Sequence, residues 1–230
     1  MSSRRDHLSI GLTPDRVGGR VRPVTKSCTS SSWQHVLPSS APYWPIRDGC
    51  VIEWVVARYV AFLRAVNVGR RRVAMATARE VLSDLGLAEV SSYVNSGNLL
   101  FSASGSAADQ EAVIRSAMER RFGFEITTFL RTAAQVRTLV EQRPFGVLAP
   151  GHTHFALLSL TKLTAREKRA VEAMSNERDE VLVRGRDVHW LIRAKSTETT
   201  LGPKQWLNAL PGNPTTARNM TMLTKLAERL

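Results

Sequence analysis

Three short polar segments carry residue types that recognise anions. Asn95-Ser-Gly-Asn98 places a hydroxyl and two amides around a glycine. Such a loop can turn its backbone N–H groups toward an anion, with Ser96 and Asn98 as further donors around Gly97. The same residues also dominate ordinary turns, in which Gly97 supplies a positive φ and the asparagines bond their own backbone. Asn67-Val-Gly69 has the same two readings and runs into Arg70, Arg71 and Arg72. Arg64 interrupts an apolar run. It reads as a ligand contact, a structural ion pair or a strand-end arginine reaching solvent, because an unpaired buried charge is costly. Arg218-Asn219 falls at the expected start of the last helix. There, free N–H groups and the helix dipole favour an anion, or the pair simply packs a helix terminus.

Taken together, Arg64, Asn67, Gly69, Ser96, Gly97, Asn98, Arg218 and Asn219 would form one binding position for an anionic ligand. The ligand would be a phosphorylated small molecule or nucleic acid, and Asn98 and Arg218 would be exposed polar side chains. The alternative is an enzyme acting without a cofactor on a small polar substrate, with no catalytic residue to nominate.

Other chemistries leave no pattern. The five histidines are His7, His35, His152, His154 and His189. His152-x-His154 can put two imidazoles on one side of a strand, but no acidic or cysteine ligand adjoins them, so no metal site is expected. There is no Gly-x-Ser-x-Gly elbow and no phosphate-loop lysine motif. Cys28 and Cys50 belong to no Cys-x-x-Cys, which argues against a zinc ribbon and for a reducing cytoplasm. Acidic residues fall mostly at expected helix caps and helix surfaces, so no catalytic carboxylate pair stands out. Leu99-Leu-Phe-Ser102 does not match the aromatic signature of RNA-recognition sheets.

The net charge is +12. Residues 1–57 hold 7 basic and 4 acidic residues, and residues 58–230 hold 25 and 16, so the expected folded part carries +9 by itself. That excess permits binding to nucleic acid or other anions. With 26 arginines to 6 lysines, it reads equally as GC-rich coding bias. The hydrophobic content of 43% and mean hydropathy of −0.16 fit a globular chain with a real core. The apolar stretch from Trp54 to Val68 is broken by Arg58, Arg64 and Asn67, too early for a membrane span.

These loops need elements to position them. Residues 1–57, rich in Ser, Pro and Arg without a persistent period, read as a disordered extension or as sequence ahead of the true start. From Arg58 the pattern becomes regular. A strand is predicted over Tyr59 to Val66. A helix opened by the capping box Thr77-Ala-Arg-Glu80 follows, then strands over Val90 to Val94 and Leu99 to Ser102. A helix capped by Ser106 and a strand from Phe124 to Leu130 complete β-α-β-β-α-β, the ferredoxin-like pattern, over 58–131. Thr132 caps a connecting helix within 132–152. Over 153–230 come a strand at Phe155 to Leu160, a helix boxed by Thr164-Ala-Arg-Glu167 and a hairpin around Arg184-Gly-Arg-Asp187. A short helix opened by Pro203 and a last helix from Thr216 follow. The fold class is α+β, with a ferredoxin-like lobe followed by an imperfect second lobe, β-α-β-β-α-α.

The loops also carry a family resemblance. Arg64-Ala-Val-Asn-Val-Gly69 is similar to an Arg-Gly-Ile-Asn-Val-Gly-Gly motif, with Ala65 and Arg70 replacing glycines. Tyr93-Val-Asn-Ser-Gly-Asn98 resembles Tyr-x-Gln-Ser-Gly-Asn, with Asn95 in place of Gln. Thr216-Ala-Arg-Asn219 and Lys225-Leu226 resemble a closing Thr-x-Arg-Asn and Lys-Leu. Together, over about Val56 to Leu230, these resemble the bacterial domain-of-unknown-function 1697 family. The resemblance implies an α+β fold in a cytoplasmic bacterial protein, and it implies no activity.

Overall fold

Ala57–Leu63 forms β1, and its alternation serves two cores rather than one core and solvent. Tyr59, Ala61 and Leu63 point to one side and Val60 and Phe62 to the other, none more than 3% exposed. Burial on both faces is why this strand reads as a continuous apolar run. The computed structural model describes residues 56–64, 66 and 72–230. The expectations placed on residues 1–55, Asn67 and Gly69 lie outside the described residues.

After β1 come α1 (Met75–Asp84), β2 (Ala88–Ser92), β3 (Asn98–Ala103), α2 (Ala107–Phe122) and β4 (Thr128–Thr132). The sheet order is β2-β3-β1-β4, and each pairing is antiparallel. Ser106 caps α2 by accepting from the Asp109 N–H, and Gly123 at φ 75° ends it. The expected capping box at Thr77 does not form. Helix α1 starts earlier, at Met75, with Ala74 as an N-cap that makes no side-chain bond. Burying Met75 and Val73 in the core outweighs the local cap.

The chain continues through α3 (Ala133–Glu141), β5 (Thr153–Ser159), α4 (Ala165–Glu172), β6 (Asp179–Arg184) and β7 (Asp187–Ile192). Then follow α5 (Pro203–Ala209), β8 (Thr215–Asn219) and α6 (Met220–Ala227). Thr164 forms the expected capping box with Glu167, and Thr132, expected as a cap, forms a full box with Gln135. In this half one expectation fails. Thr216 does not start the last helix but lies in β8, paired with Leu158 of β5. The helix begins at Met220, where the Asn219 Oδ1 accepts from the Thr221 N–H at 2.8 Å. Local helix signals cannot register the open edge of β5, whose ladder the Thr215–Asn219 segment completes. The second sheet, β6-β7-β5-β8, therefore repeats the order of the first.

Each sheet covers one face with its own helices and gives the other to a shared core. Residues from α1 and α2 close the first outer core, and residues from α4 and α5 the second. Between the sheets, Val60, Phe62 and Phe129 meet Ala156 and Leu158, with Val136 and Leu139 of α3 and Leu223 and Leu226 of α6.

Candidate functional site

Antiparallel pairing brings the end of β1 to the start of β3. Phe62 stands opposite Asn98, and the Leu63 N–H donates to the Gly97 carbonyl at 2.7 Å. Arg218, the fourth residue of β8, reaches this junction. Its Nε donates to Asn98 Oδ1 at 2.8 Å. Its Nη2 donates to the carbonyls of Leu63 at 2.9 Å and Ser96 at 3.2 Å, and Nη1 serves Thr216 Oγ1 and the Ala217 carbonyl. All five guanidinium hydrogens thus have acceptors. Those acceptors are carbonyls, an amide and a hydroxyl, with no carboxylate among them. Asn98 also donates, from Nδ2, to the Tyr93 carbonyl and to Ser96 Oγ. Burial lowers the Arg218 pKa to about 10, which leaves it charged at neutral pH.

Asn98 and Arg218 therefore meet, but not as exposed polar residues: Asn98 is 0% and Arg218 8% exposed. Ser96 is exposed and Gly97 buried. Of the readings open for Arg64, the structure has the strand-end arginine reaching solvent: it is exposed at the bend after β1, and its backbone N–H donates to the Thr127 carbonyl. Asn219 does lie at a helix start, where its side chain is the cap itself.

Gly97 is fixed by geometry. At φ 78°, a Cβ there would lie 3.0 Å from Val66 Cγ2 and 3.1 Å from the Leu63 Cβ. Gly97→Ala is expected to cost roughly 2–4 kcal/mol, combining left-handed strain with overpacking. At Gly185, φ is 64° and a Cβ would meet nothing within 4 Å, so alanine there should cost only the strain, about 1–2 kcal/mol. Urea unfolding of the two alanine variants checks the difference, and equal losses would remove the packing explanation.

A second arginine occupies the matching place in the first sheet. Arg131 is the fourth residue of β4, as Arg218 is of β8, and it precedes the N-cap Thr132 as Arg218 precedes Asn219. Its Nη2 donates to the carbonyl of Ser159, the last residue of β5, at 2.7 Å. Arg218 treats Leu63, the last residue of β1, in the same way. Asp187, the first residue of β7, takes Arg131 Nε at 3.1 Å and Nη2 at 2.5 Å, where Asn98, the first residue of β3, takes Arg218. Each lobe thus sends one arginine into the other, and only the Arg131 clamp contains a carboxylate. Arg131 and Asp187 go unnoticed in the sequence. The detectable signal is the recurrence of Thr-x-x-Arg before a capping residue, in Thr128-Phe-Leu-Arg-Thr132 and Thr215-Thr-Ala-Arg-Asn219.

His154 pairs not with His152 but with His189. His154 Nε2 lies 3.1 Å from His189 Nδ1, and His189 Nε2 lies 2.8 Å from Gln142 Oε1. A carbonyl oxygen only accepts, so His189 Nε2 carries a proton and its Nδ1 accepts from His154. Burial lowers both pKa values from 6.5 to about 4; His189 adds to the effect on His154, and the Asp187 carboxylate opposes it at His189. The unfolded chain therefore takes up protons at a higher pH than the folded one. Stability contributed by this pair is complete above about pH 6.5 and is lost as pH falls toward 4. Urea midpoints should drop between pH 7 and pH 5, and less so in His189→Gln. An unchanged slope in that variant would assign the loss to other groups.

A surface concavity of about 590 Å³ lies along β6 and contains none of these residues. Its polar side chains are occupied: Ser175 bonds both the N–H and the carbonyl of Val181, and Glu172 accepts from the Val183 N–H. They satisfy an edge strand that would otherwise offer unpaired groups. Among the described residues, no group of three or more His, Cys, Asp or Glu could hold a metal ion, and no helix is long and apolar enough to cross a membrane.

A family model described as "Protein of unknown function (DUF1697)" matches residues 56–189. No curated protein matches the chain. Among solved structures, the conserved bacterial protein SP0830 from Streptococcus pneumoniae is similar, with a TM-score of 0.63 at 24% sequence identity. The match covers 76% of this chain and 99% of that one. That likeness establishes the α+β fold.

Proposed function

The chain belongs to the DUF1697 family of proteins of unknown function, so an activity has to be read from its own geometry, and we propose that it binds a phosphate-bearing ligand over the outer face of the Tyr93–Asn98 turn. The observation that carries this reading is the inward pull of Arg218 on the Ser96 carbonyl. A trans peptide holds C=O and N–H on opposite sides, so drawing that oxygen toward Arg218 points the Gly97 N–H away from it. With Gly97 at φ 78°, such a turn can present backbone donors to an anion. Ser96 Oγ accepts from Asn98, which leaves its own proton to donate. The buried cation beneath has no carboxylate partner, so its field is not cancelled locally. Arg64 is exposed at the adjoining strand end, and the Arg229 guanidinium lies 4.7 Å from the centre of the Tyr93 ring.

Inorganic pyrophosphate, a mononucleotide and short single- and double-stranded oligonucleotides, titrated at about 50 and 200 mM salt, test the reading. Binding should weaken steeply across that range. It should disappear in Arg64→Glu and Ser96→Asp while the unfolding midpoint holds. Binding confined to oligonucleotides would make the ligand nucleic acid. No binding by any of the four at the lower salt would set the proposal aside.

A further inference from the structure

Two buried polar atoms of the described residues have no partner, Ser159 Oγ and Arg186 Nε, and both belong to one cluster. Ser159 is 0% exposed. Its carbonyl accepts from Arg131 Nη2 at 2.7 Å and from Arg186 Nη2 at 3.0 Å, and its N–H donates to Asp187 Oδ1 at 3.1 Å. Arg186 Nη2 also donates to the Leu160 carbonyl. Arg186 Nε–H can only donate, and the Ser159 hydroxyl has a proton to give. Buried groups of this kind are nearly always satisfied, by an ion or a water where not by protein.

We propose that Ser159 and Arg186, beside Arg131, form a site for a small inorganic anion of the halide class. This is separate from the turn described above. Two guanidinium groups surround one carboxylate, so the contact cluster is one positive charge in excess; Glu111, which also acts on Arg186, lies outside these hydrogen bonds. Water fits less well. It would bring two hydrogens needing acceptors, whereas the carbonyl and carboxylate oxygens here each already accept at least one bond. The Ser159 carbonyl takes two bonds, Asp187 Oδ1 takes Arg131 and the Ser159 N–H, Asp187 Oδ2 takes Arg131 Nε, and the Leu160 carbonyl takes Arg186. An anion only accepts, which matches a pair of orphaned donors. Arg186 is half-buried, so part of its side chain meets solvent.

Thermal unfolding of the full chain in sodium gluconate, chloride and bromide at equal ionic strength tests this. Chloride and bromide should raise the midpoint saturably over gluconate. Ser159→Ala and Arg186→Gln should each weaken the apparent halide affinity about tenfold or more, the factor for losing one charge-assisted hydrogen bond. Ser159→Ala removes a group without a protein partner, so its midpoint in gluconate should not fall. Crystals soaked in bromide should show anomalous density within bonding distance of Ser159 Oγ and Arg186 Nε. Equal midpoints in the three salts, a halide effect intact in both variants, or water density without anomalous signal would each overturn the proposal. Pyrophosphate binding at the Tyr93–Asn98 turn would be unaffected by any of these results.

Discussion

Replacing Asp187 by alanine is expected to lower the unfolding free energy by roughly 3–5 kcal/mol, the range for stripping one partner from a buried ion pair. Arg131 is 1% exposed, so its charge would have no water to turn to. For a body of this length, the unfolding midpoint should fall on the order of 10 °C. The loss has two sources: the bidentate contact to Arg131 and the acceptor for the Ser159 N–H. Asp187→Asn keeps the shape and one acceptor oxygen, as Asn98 does opposite Arg218, so it should cost less, about 1–3 kcal/mol. Thermal and urea unfolding of both variants measures this. An alanine variant within about 1 kcal/mol of the parent would mean that Arg131 finds other acceptors.

Arg218→Ala should also cost roughly 3–5 kcal/mol, by a different route. No carboxylate is stranded. Instead the Leu63 and Ser96 carbonyls and the Asn98 amide oxygen lose a buried donor together, and Phe62 loses the guanidinium stacked 5.5 Å from its ring centre. Arg218→Lys keeps the charge but offers three donors in place of five, and should fall between. Asn98→Asp carries the sharper expectation. It would give Arg218 a counter-ion, as in the Arg131 clamp, yet it should destabilise by about 1–3 kcal/mol. The reason is that Asn98 must donate to the Tyr93 carbonyl and Ser96 Oγ while accepting from Arg218, and a carboxylate only accepts. Urea unfolding of the four-member cycle joining Asn98→Asp and Arg218→Ala separates these terms. A stabilised Asn98→Asp would show that charge pairing outweighs the two donations.

The same asymmetry links stability to the proposed binding. Arg131 is matched by Asp187, whereas Arg218 must share its charge among neutral acceptors whose inward orientation shapes the turn above it. Variants at Arg218 will therefore change the fold and the turn together. Exposed Arg64 and Ser96 are the positions at which binding can be altered with the fold left intact.

Much of the fold was legible from sequence because the signals are local. A hydroxyl three residues ahead of Asp, Gln or Glu marks the starts of α2, α3 and α4 at Ser106, Thr132 and Thr164, although the same pattern at Thr77 and Glu80 yields to the burial of Met75. Two-faced burial left β1 as an apolar run, and Gly185 marked the turn between β6 and β7. Membership of the family could be read from three short loops, and the ferredoxin-like pattern from the order of the predicted elements. The tertiary structure alone decided what those loops do. Local sequence reads Thr216 as a helix start, and only the open edge of β5 makes the segment a strand. Arg218 looks like a solvent-facing cation until its acceptors arrive from Asn98, 120 residues away, and Leu63, 155 residues away. Arg131 gives no sign at all until Asp187 comes to it from 56 residues further on. Whether a charge can be buried depends on which oxygens surround it, and here those oxygens come from the opposite lobe, beyond the reach of any local pattern.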